Sequence, residues 1–141
     1  MGMTPVYREA VDPLIESLTR LKQTWPGTQW EWDGRFAAIS SSFTIDLERE
    51  VRESARFAFP RGWTVKSIEH APAMFRALAD KTCMRPNQRL LAGDELTAPT
   101  LFGLWWPWGG GDKITLRIGL LDADAAVAPV SAIRELFGVI G

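Results

Sequence analysis

The sequence predicts an α+β fold, with a mostly antiparallel sheet of about five strands and helices packed against one face. Alternating apolar and polar residues from Lys113 to Leu121 indicate a strand with one buried face. Apolar residues at helical spacing recur in several other segments and indicate amphipathic helices. The predicted order of elements is α-β-β-α-α-β-β-β-α. At 141 residues the chain is expected to form one domain.

The first helix is predicted from Asp12 to Thr24. Asp12 followed by Pro13 is typical of a helix start, and Thr4 with Pro5 repeats that pattern ahead of a looser turn. Pro26-Gly27 ends the helix. The apolar residues at helical spacing within and just after it are Leu14, Leu18, Leu21 and Trp25.

A hairpin is predicted from Thr28 to Ser42. Asp33-Gly34 is a strong signal for a two-residue turn between two strands. With such a turn, Arg35 would lie opposite Trp32.

The middle and the end of the chain predict three more helices and a short strand. Asp46 to Phe59 favours a helix that Asp46 caps, and Pro60-Arg61-Gly62 would break it. The further elements predicted are a helix from Pro72 to about Cys83, a strand from Gln88 to Ala92, and a last helix from Pro129 to near Gly138.

The central hairpin is predicted to join Leu101–Trp106 to the alternating strand that follows. The apolar parity suggests Trp105 opposite Ile114, with Trp106 near Lys113 and Phe102 near Arg117 on the other face. The three glycines after Pro107 and Trp108 precede a strand rather than a helix, so a connecting turn is favoured over a phosphate loop.

Composition excludes several classes of protein. The net charge is −1, which gives no general reason to bind nucleic acid or anionic membranes. One cysteine and one histidine exclude an internal disulfide and the common zinc sites. No segment resembles a signal peptide or a membrane span. We therefore expect a cytoplasmic protein of bacterial type without a cofactor or metal.

Three arrangements of carboxylates or a thiol have both a functional and a structural interpretation. Asp122 and Asp124 could hold a divalent cation, but a solvated strand end is favoured without a third ligand. Glu69, His70 and Cys83 could form a nucleophile with its base, but a structural cysteine and a surface histidine are favoured. Glu31 and Asp33 flank Trp32 as in some carbohydrate sites, but an alternating strand gives the same spacing.

The segment between Arg56 and Arg89 is locally basic. It holds seven basic residues against Glu69 and Asp80. Such a surplus could meet RNA, DNA or an acidic protein, yet scattered solvated charge is favoured because no compact cluster or nucleic-acid motif is present. The basic residues are Arg56, Arg61, Lys66, Arg76, Lys81, Arg85 and Arg89.

The chain has seven tryptophans, and most are expected in the core. Trp108 and Trp63 are predicted as exposed anchors, with Trp32 beside Arg35 as a third. Together with the cationic side chains of the last strand, they form the predicted binding surface. Its residues are Trp108, Trp63, Trp32, Arg35, Lys113 and Arg117.

The leading functional hypothesis is a small non-catalytic binding protein, such as an immunity protein or an adaptor, that recognises a protein partner or forms a homodimer. A second hypothesis is a small-molecule or enzymatic pocket between sheet and helices, which would use Trp105, Trp106, Arg117 and Glu31. A third is an RNA-binding module, although nucleic acid is not the favoured partner. No membrane association is expected.

Overall fold

The computed structural model describes residues 5–27, 29–94, 100–121 and 127–139, which form an α+β fold. Four α-helices are described: α1 (Pro5–Thr24), α2 (Glu48–Ala55), α3 (Ala73–Lys81) and α4 (Val127–Leu136). The described strands are β1 (Glu31–Asp33), β2 (Ala38–Thr44), β3 (Arg61–Trp63), β4 (Arg89–Ala92), β5 (Leu101–Pro107) and β6 (Lys113–Leu120). Two short 3₁₀ turns, Ile45–Leu47 and Ile68–His70, precede α2 and α3.

All pairs of neighbouring strands are antiparallel, in the order β1-β2-β6-β5-β4-β3. The described sheet therefore has six strands, one more than the sequence predicts. The missed strand is β3, which lies at the segment interpreted as a helix break. Three residues carry too little alternation to reveal a strand, and pairing with β4 supplies the stabilisation instead.

The sheet separates two apolar layers. One face packs against α1, α2 and α4, through residues such as Leu18, Val51 and Ile133. The other face packs against α3 through Phe75 and Leu104. The expectation that all helices cover one face is therefore wrong for α3. Coverage on both faces explains why the central strand β5 is apolar over most of its length.

The central hairpin keeps the predicted parity but is displaced by two residues. Trp105 pairs with Leu116 rather than with Ile114. The hairpin closes more tightly than expected, because the Trp108 N–H donates to the Lys113 carbonyl at 2.8 Å. The alternation of apolar and polar residues determines which face of the sheet a side chain occupies. It does not distinguish strand registers that differ by two residues.

The first hairpin has a longer turn than the predicted Asp33-Gly34 pair. Asp33 pairs with Ala38, which leaves four residues in the turn. The Asp33 carboxylate accepts the Arg35 N–H at 3.1 Å and so supports this turn. Arg35 therefore belongs to the turn, and Trp32 pairs with Ile39 instead.

Two helix starts differ from the predictions. α1 begins at Pro5 and continues through Pro13, which omits one backbone hydrogen bond without ending the helix. Asp46 lies within a 3₁₀ turn, and the residue that caps α2 is Leu47, with no side-chain cap. The proposed cap Thr4 and the hairpin start Thr28 lie outside the described residues.

α1 is the longest described helix, with 20 residues. Leu14, Leu18 and Leu21 on its inner side are buried, as the spacing predicts, while Pro13, Glu16 and Arg20 are exposed. Across the described part of the chain, no helix combines the length and the apolar composition needed to cross a membrane.

Candidate functional site

Four of the six predicted site residues lie on one face of the sheet, over β1, β2 and β6. They are Arg35, Trp108, Lys113 and Arg117. Arg35 and Arg117 both place their guanidinium groups over the Phe36 ring, at 5.1 and 5.5 Å. We call this surface the aromatic–cationic patch, formed by Arg35, Phe36, Trp106, Trp108, Lys113 and Arg117.

An ion pair between Arg117 and Asp33 anchors the patch. The Arg117 Nε donates to an Asp33 carboxylate oxygen at 2.8 Å, and the two side chains are only 15 % and 14 % exposed. Burial acts to raise the pKa of Asp33, but hydrogen bonds from Arg117 and Arg35 outweigh it and hold that pKa below its ordinary value. Asp33 is therefore an ionised structural partner rather than a proton acceptor for a reaction.

Aromatic rings hold the Arg117 guanidinium in place. It lies 4.9 Å from the centre of the Trp106 ring, and Phe36 meets Trp106 edge-on at 5.3 Å. A guanidinium over a tryptophan face is a favourable cation–π geometry. The predicted cation–π contacts on this face thus exist with different partners, since Arg117 meets Trp106 rather than Phe102.

Trp108 is the exposed aromatic residue of the patch, with 52 % of its surface accessible. Its indole N–H donates to the Thr115 hydroxyl at 2.8 Å, and that hydroxyl is 2.7 Å from the hydroxyl of Ser42. The Lys113 ammonium lies 5.3 Å from the ring centre. The ring is thus exposed but fixed in orientation.

The other two predicted anchors lie elsewhere. Trp32 is half-buried on the opposite face, where the Arg134 guanidinium lies 4.1 Å from its ring centre. Trp63 is only 8 % exposed and packs against Phe75, so the expectation that Trp63 is an exposed anchor is wrong. Its position on β3 explains the burial, since α3 covers that part of the sheet.

A second surface, which the sequence analysis did not identify, is a cleft of about 260 Å³ between α2 and the β3 edge of the sheet. Its apolar floor includes Phe59, Leu91 and Trp105. No carboxylate is among the described residues that line it. Four arginines surround this floor, and we call the site the arginine cleft: Arg52, Arg56, Arg61 and Arg89.

Three residues of the basic segment thus line one cleft, which differs from the scattered charge that the sequence favours. Arg56 and Arg89 are 33 positions apart in sequence, yet they line the same cleft. A local signal did exist, because Arg52 and Arg56 are four residues apart on a predicted helix. The contribution of Arg61 and Arg89 could not be seen without β3, which places them on neighbouring strands.

Two other candidate constellations are not assembled in the part of the chain that the structure describes. Trp105 and Trp106 are adjacent on a strand and point to opposite faces, so they do not line one pocket. His70 contacts Glu69 at 3.5 Å on the surface, and no hydrogen bond or ion pair between described residues joins either to Cys83. Asp122 and Asp124 lie outside the described residues.

No group of three or more histidine, cysteine, aspartate or glutamate side chains suited to a metal ion is found within the described ranges. Comparison of the chain with protein families, with curated proteins and with solved structures found no match in any of the three. The function is therefore inferred from the chain's own residues.

Proposed function

We propose that this chain is a small non-catalytic binding protein that docks a partner protein on its aromatic–cationic patch. The observation that carries the proposal is Trp108, a large exposed ring whose orientation is fixed by a hydrogen bond and a neighbouring cation. Tryptophan and arginine are the residue types most enriched at energetic hot spots of protein interfaces. The patch combines both.

Preorganisation supports the same proposal. Binding costs less when the anchoring side chain has few rotamers to lose. The Thr115 hydroxyl holds Trp108, while the Asp33 carboxylate and the Trp106 ring hold Arg117. A partner would therefore meet a surface whose principal contacts are already in place.

The charge and polarity around the patch indicate the kind of partner. Arg35 and Lys113 are exposed cations, and the adjoining strands present Ser40 and Ser42 beside one exposed carboxylate, that of Glu31. A partner surface with acidic groups around an apolar pocket for an indole ring would be complementary to it. The chain would act in the cytoplasm, where the exposed free thiol of Cys83 would stay reduced.

The test is a pull-down from a native bacterial lysate with wild type, Trp108→Ala and Met74→Ala. Met74 is the control, because it is 48 % exposed on α3, which packs against β4 rather than against the strands β1, β2 and β6 beneath the patch. We expect a partner retained by wild type and Met74→Ala, and a loss of roughly 2 kcal/mol or more of binding free energy with Trp108→Ala.

Light scattering over a concentration series separates the homodimer variant from a heterologous partner. A dimer that Trp108→Ala dissociates would identify a second copy of the chain as the partner. A set of bound proteins that is identical for all three versions would contradict the proposed surface.

A further inference from the structure

The arginine cleft holds three positive charges, those of Arg52, Arg56 and Arg89, that no carboxylate among its described lining residues offsets. Arg52 and Arg56 come from α2, Arg61 from β3 and Arg89 from β4. Among the described residues, no ion pair forms with Arg52, Arg56 or Arg89. The whole chain has a net charge of −1, so this accumulation of positive charge is local.

The same helix shows how such charge is otherwise compensated. Arg49 forms an i,i+4 ion pair with Glu53 at 3.8 Å on the outer side of α2. Arg52 and Arg56 are also four residues apart, but they are like charges, an arrangement that destabilises an isolated helix. The negative end of the α2 dipole offsets part of this repulsion. It does nothing for Arg89, which belongs to a strand.

The fold holds Arg89 beside the apolar floor of the cleft. The Cα of Arg89 is the register partner of Trp105, so both side chains leave the same face of the sheet. Arg61 pairs with Ala92, so its side chain leaves the α3 face at the edge of the cleft, where its guanidinium lies over the Trp63 ring at 5.0 Å. Gly62, between Arg61 and Trp63 in sequence, lines the floor of the cleft. A Cβ added there would be 2.9 Å from the Leu91 side chain, so the floor is closely packed at this point.

We propose that the arginine cleft binds a small phosphate monoester, with the phosphoryl group among the guanidinium groups of Arg52, Arg56 and Arg89 and the carbon part on the apolar floor. A phosphate monoester carries about −1.5 to −2 charges at neutral pH and has three acceptor oxygens. Guanidinium groups bind such oxygens in pairs through their parallel N–H donors. A monoanion would neutralise only one of the three cations.

The size of the cleft limits the carbon part of this ligand. A volume of about 260 Å³ is below the roughly 300–1,000 Å³ usual for drug-sized ligands. A phosphoryl group attached to one ring or a short chain fits this volume. The site lies on the opposite face of the sheet from the aromatic–cationic patch, so it is independent of the protein-binding proposal.

Calorimetric titration of the purified chain with phenyl phosphate and with phenyl sulfate tests the proposal. The two probes share a ring and a tetrahedral anion, but the sulfate ester carries a single charge. We expect phenyl phosphate to bind at least about tenfold more tightly, and inorganic phosphate to bind more weakly than phenyl phosphate because it lacks the ring.

Substitutions of the arginines locate the binding. Arg56→Gln and Arg89→Gln should each weaken phenyl phosphate binding about 10- to 100-fold, as expected for loss of a charge-assisted hydrogen bond. Arg89→Lys should give an intermediate loss, because lysine keeps the charge but not the paired donors. Arg49→Gln, on the outer side of the same helix, is the matched control and should change the Kd less than twofold.

Two more probes identify the source of the phosphate. A phosphotyrosine peptide that binds far more tightly than phenyl phosphate would identify a phosphorylated protein, and equal affinity would identify a free small molecule. Equal binding of phenyl sulfate and phenyl phosphate would overturn the proposal, as would unchanged binding in Arg56→Gln and Arg89→Gln. Preferential binding of a single-stranded oligonucleotide, steeply reduced by salt, would replace it with nucleic-acid recognition.

Discussion

Asp33 and Arg117 are 84 positions apart in the chain and are joined by a 2.8 Å hydrogen bond. The bond links the end of β1 to the middle of β6, across the intervening strand β2. Because the Arg117 guanidinium also lies over the Trp106 and Phe36 rings, Asp33 helps to fix the geometry of the whole aromatic–cationic patch. Loss of the carboxylate would leave a largely buried cation without its partner.

Asp33→Asn should lower the free energy of unfolding by roughly 1–3 kcal/mol at neutral pH, since the hydrogen bonds to this carboxylate are charge-assisted. The pKa of Asp33 is lower in the folded state than its ordinary value. Its stabilising contribution is therefore present above the unfolded pKa, and it is lost as the pH falls through the folded pKa. Denaturant unfolding over a pH series measures this effect.

The difference between wild type and Asp33→Asn should shrink as the pH falls below about 4, near the pKa of an unfolded aspartate. Asp80→Asn, which replaces an exposed carboxylate on α3, is the control and should change stability little at any pH. A difference between wild type and Asp33→Asn that stays constant down to acid pH would contradict the role given to this ion pair.

Gly119→Ala should destabilise the protein because of the ring opposite it. Phe102 and Gly119 are register partners on β5 and β6. A Cβ at position 119 would lie 2.6 Å from the Phe102 Cζ, and Phe102 is only 4 % exposed, so its ring has little room to move. We expect a loss of about 1–3 kcal/mol, as for other overpacked cores.

Gly109→Ala is the matched control for this substitution. Gly109 lies in the turn between the same two strands, and no atom would lie within 4 Å of an added Cβ there. Its unfolding free energy should change by less than about 0.5 kcal/mol. Equal effects of the two substitutions in thermal unfolding would show that contact with Phe102 is not the cause.

Phe75→Ala tests the packing of α3 on the second face of the sheet. Phe75 is 0 % exposed and contacts Trp63, with ring centres 5.3 Å apart. Removal of such a buried ring should cost about 3–5 kcal/mol. The neighbouring substitution Met74→Ala removes a side chain that is 48 % exposed and should cost less than about 1 kcal/mol. Similar losses for the two variants in denaturant unfolding would contradict this packing.

Sequence patterns predicted the class of fold because the strongest signals are periodic and local. The alternation along β6 and the helical stripe of α1 both depend on which side chains are buried, and those side chains are where the patterns put them. The features that the sequence does not predict depend on contacts between separate segments of the chain. The register of Trp105 depends on backbone hydrogen bonds in the turn, and β3 depends on its pairing with β4.

The two candidate surfaces also differ in whether local sequence predicts them. Trp108 follows a short apolar strand and precedes three glycines, so its exposure in a turn could be predicted from the sequence. The arginine cleft could not be predicted in this way, because Arg52, Arg61 and Arg89 come from three elements whose approach is set by the sheet order. Local charge counting detects such residues but does not place them together.

Cys83 ends α3 in a strained backbone conformation. Its φ is +53°, in the left-handed region that disfavours residues with a Cβ. The N–H of Met84 donates to the Ala79 carbonyl at 3.1 Å, and the N–H of Cys83 donates to the backbone carbonyl of Asp80 at 3.2 Å. This is the Schellman pattern that ends many helices, with cysteine where glycine is usual.

The end of α4 has the same arrangement with the usual residue. Gly138 has a φ of +67°. Its N–H donates to the Glu135 carbonyl at 3.1 Å, and the Val139 N–H donates to the Arg134 carbonyl at 2.9 Å. Two helices of one chain thus end in the same way, one with a glycine and one with an exposed cysteine. The free-energy cost of a Cβ in the left-handed conformation can therefore be measured by removing the side chain at Cys83 and by adding one at Gly138.

Cys83→Gly should raise the free energy of unfolding by about 0.5–1 kcal/mol, because relief of the left-handed strain exceeds the added flexibility of the unfolded chain. Gly138→Ala should lower it by about 1 kcal/mol for the converse reason. Denaturant unfolding under reducing conditions measures both changes without interference from thiol oxidation. A Cys83→Gly variant less stable than wild type would mean that contacts of the cysteine side chain outweigh the strain of its backbone.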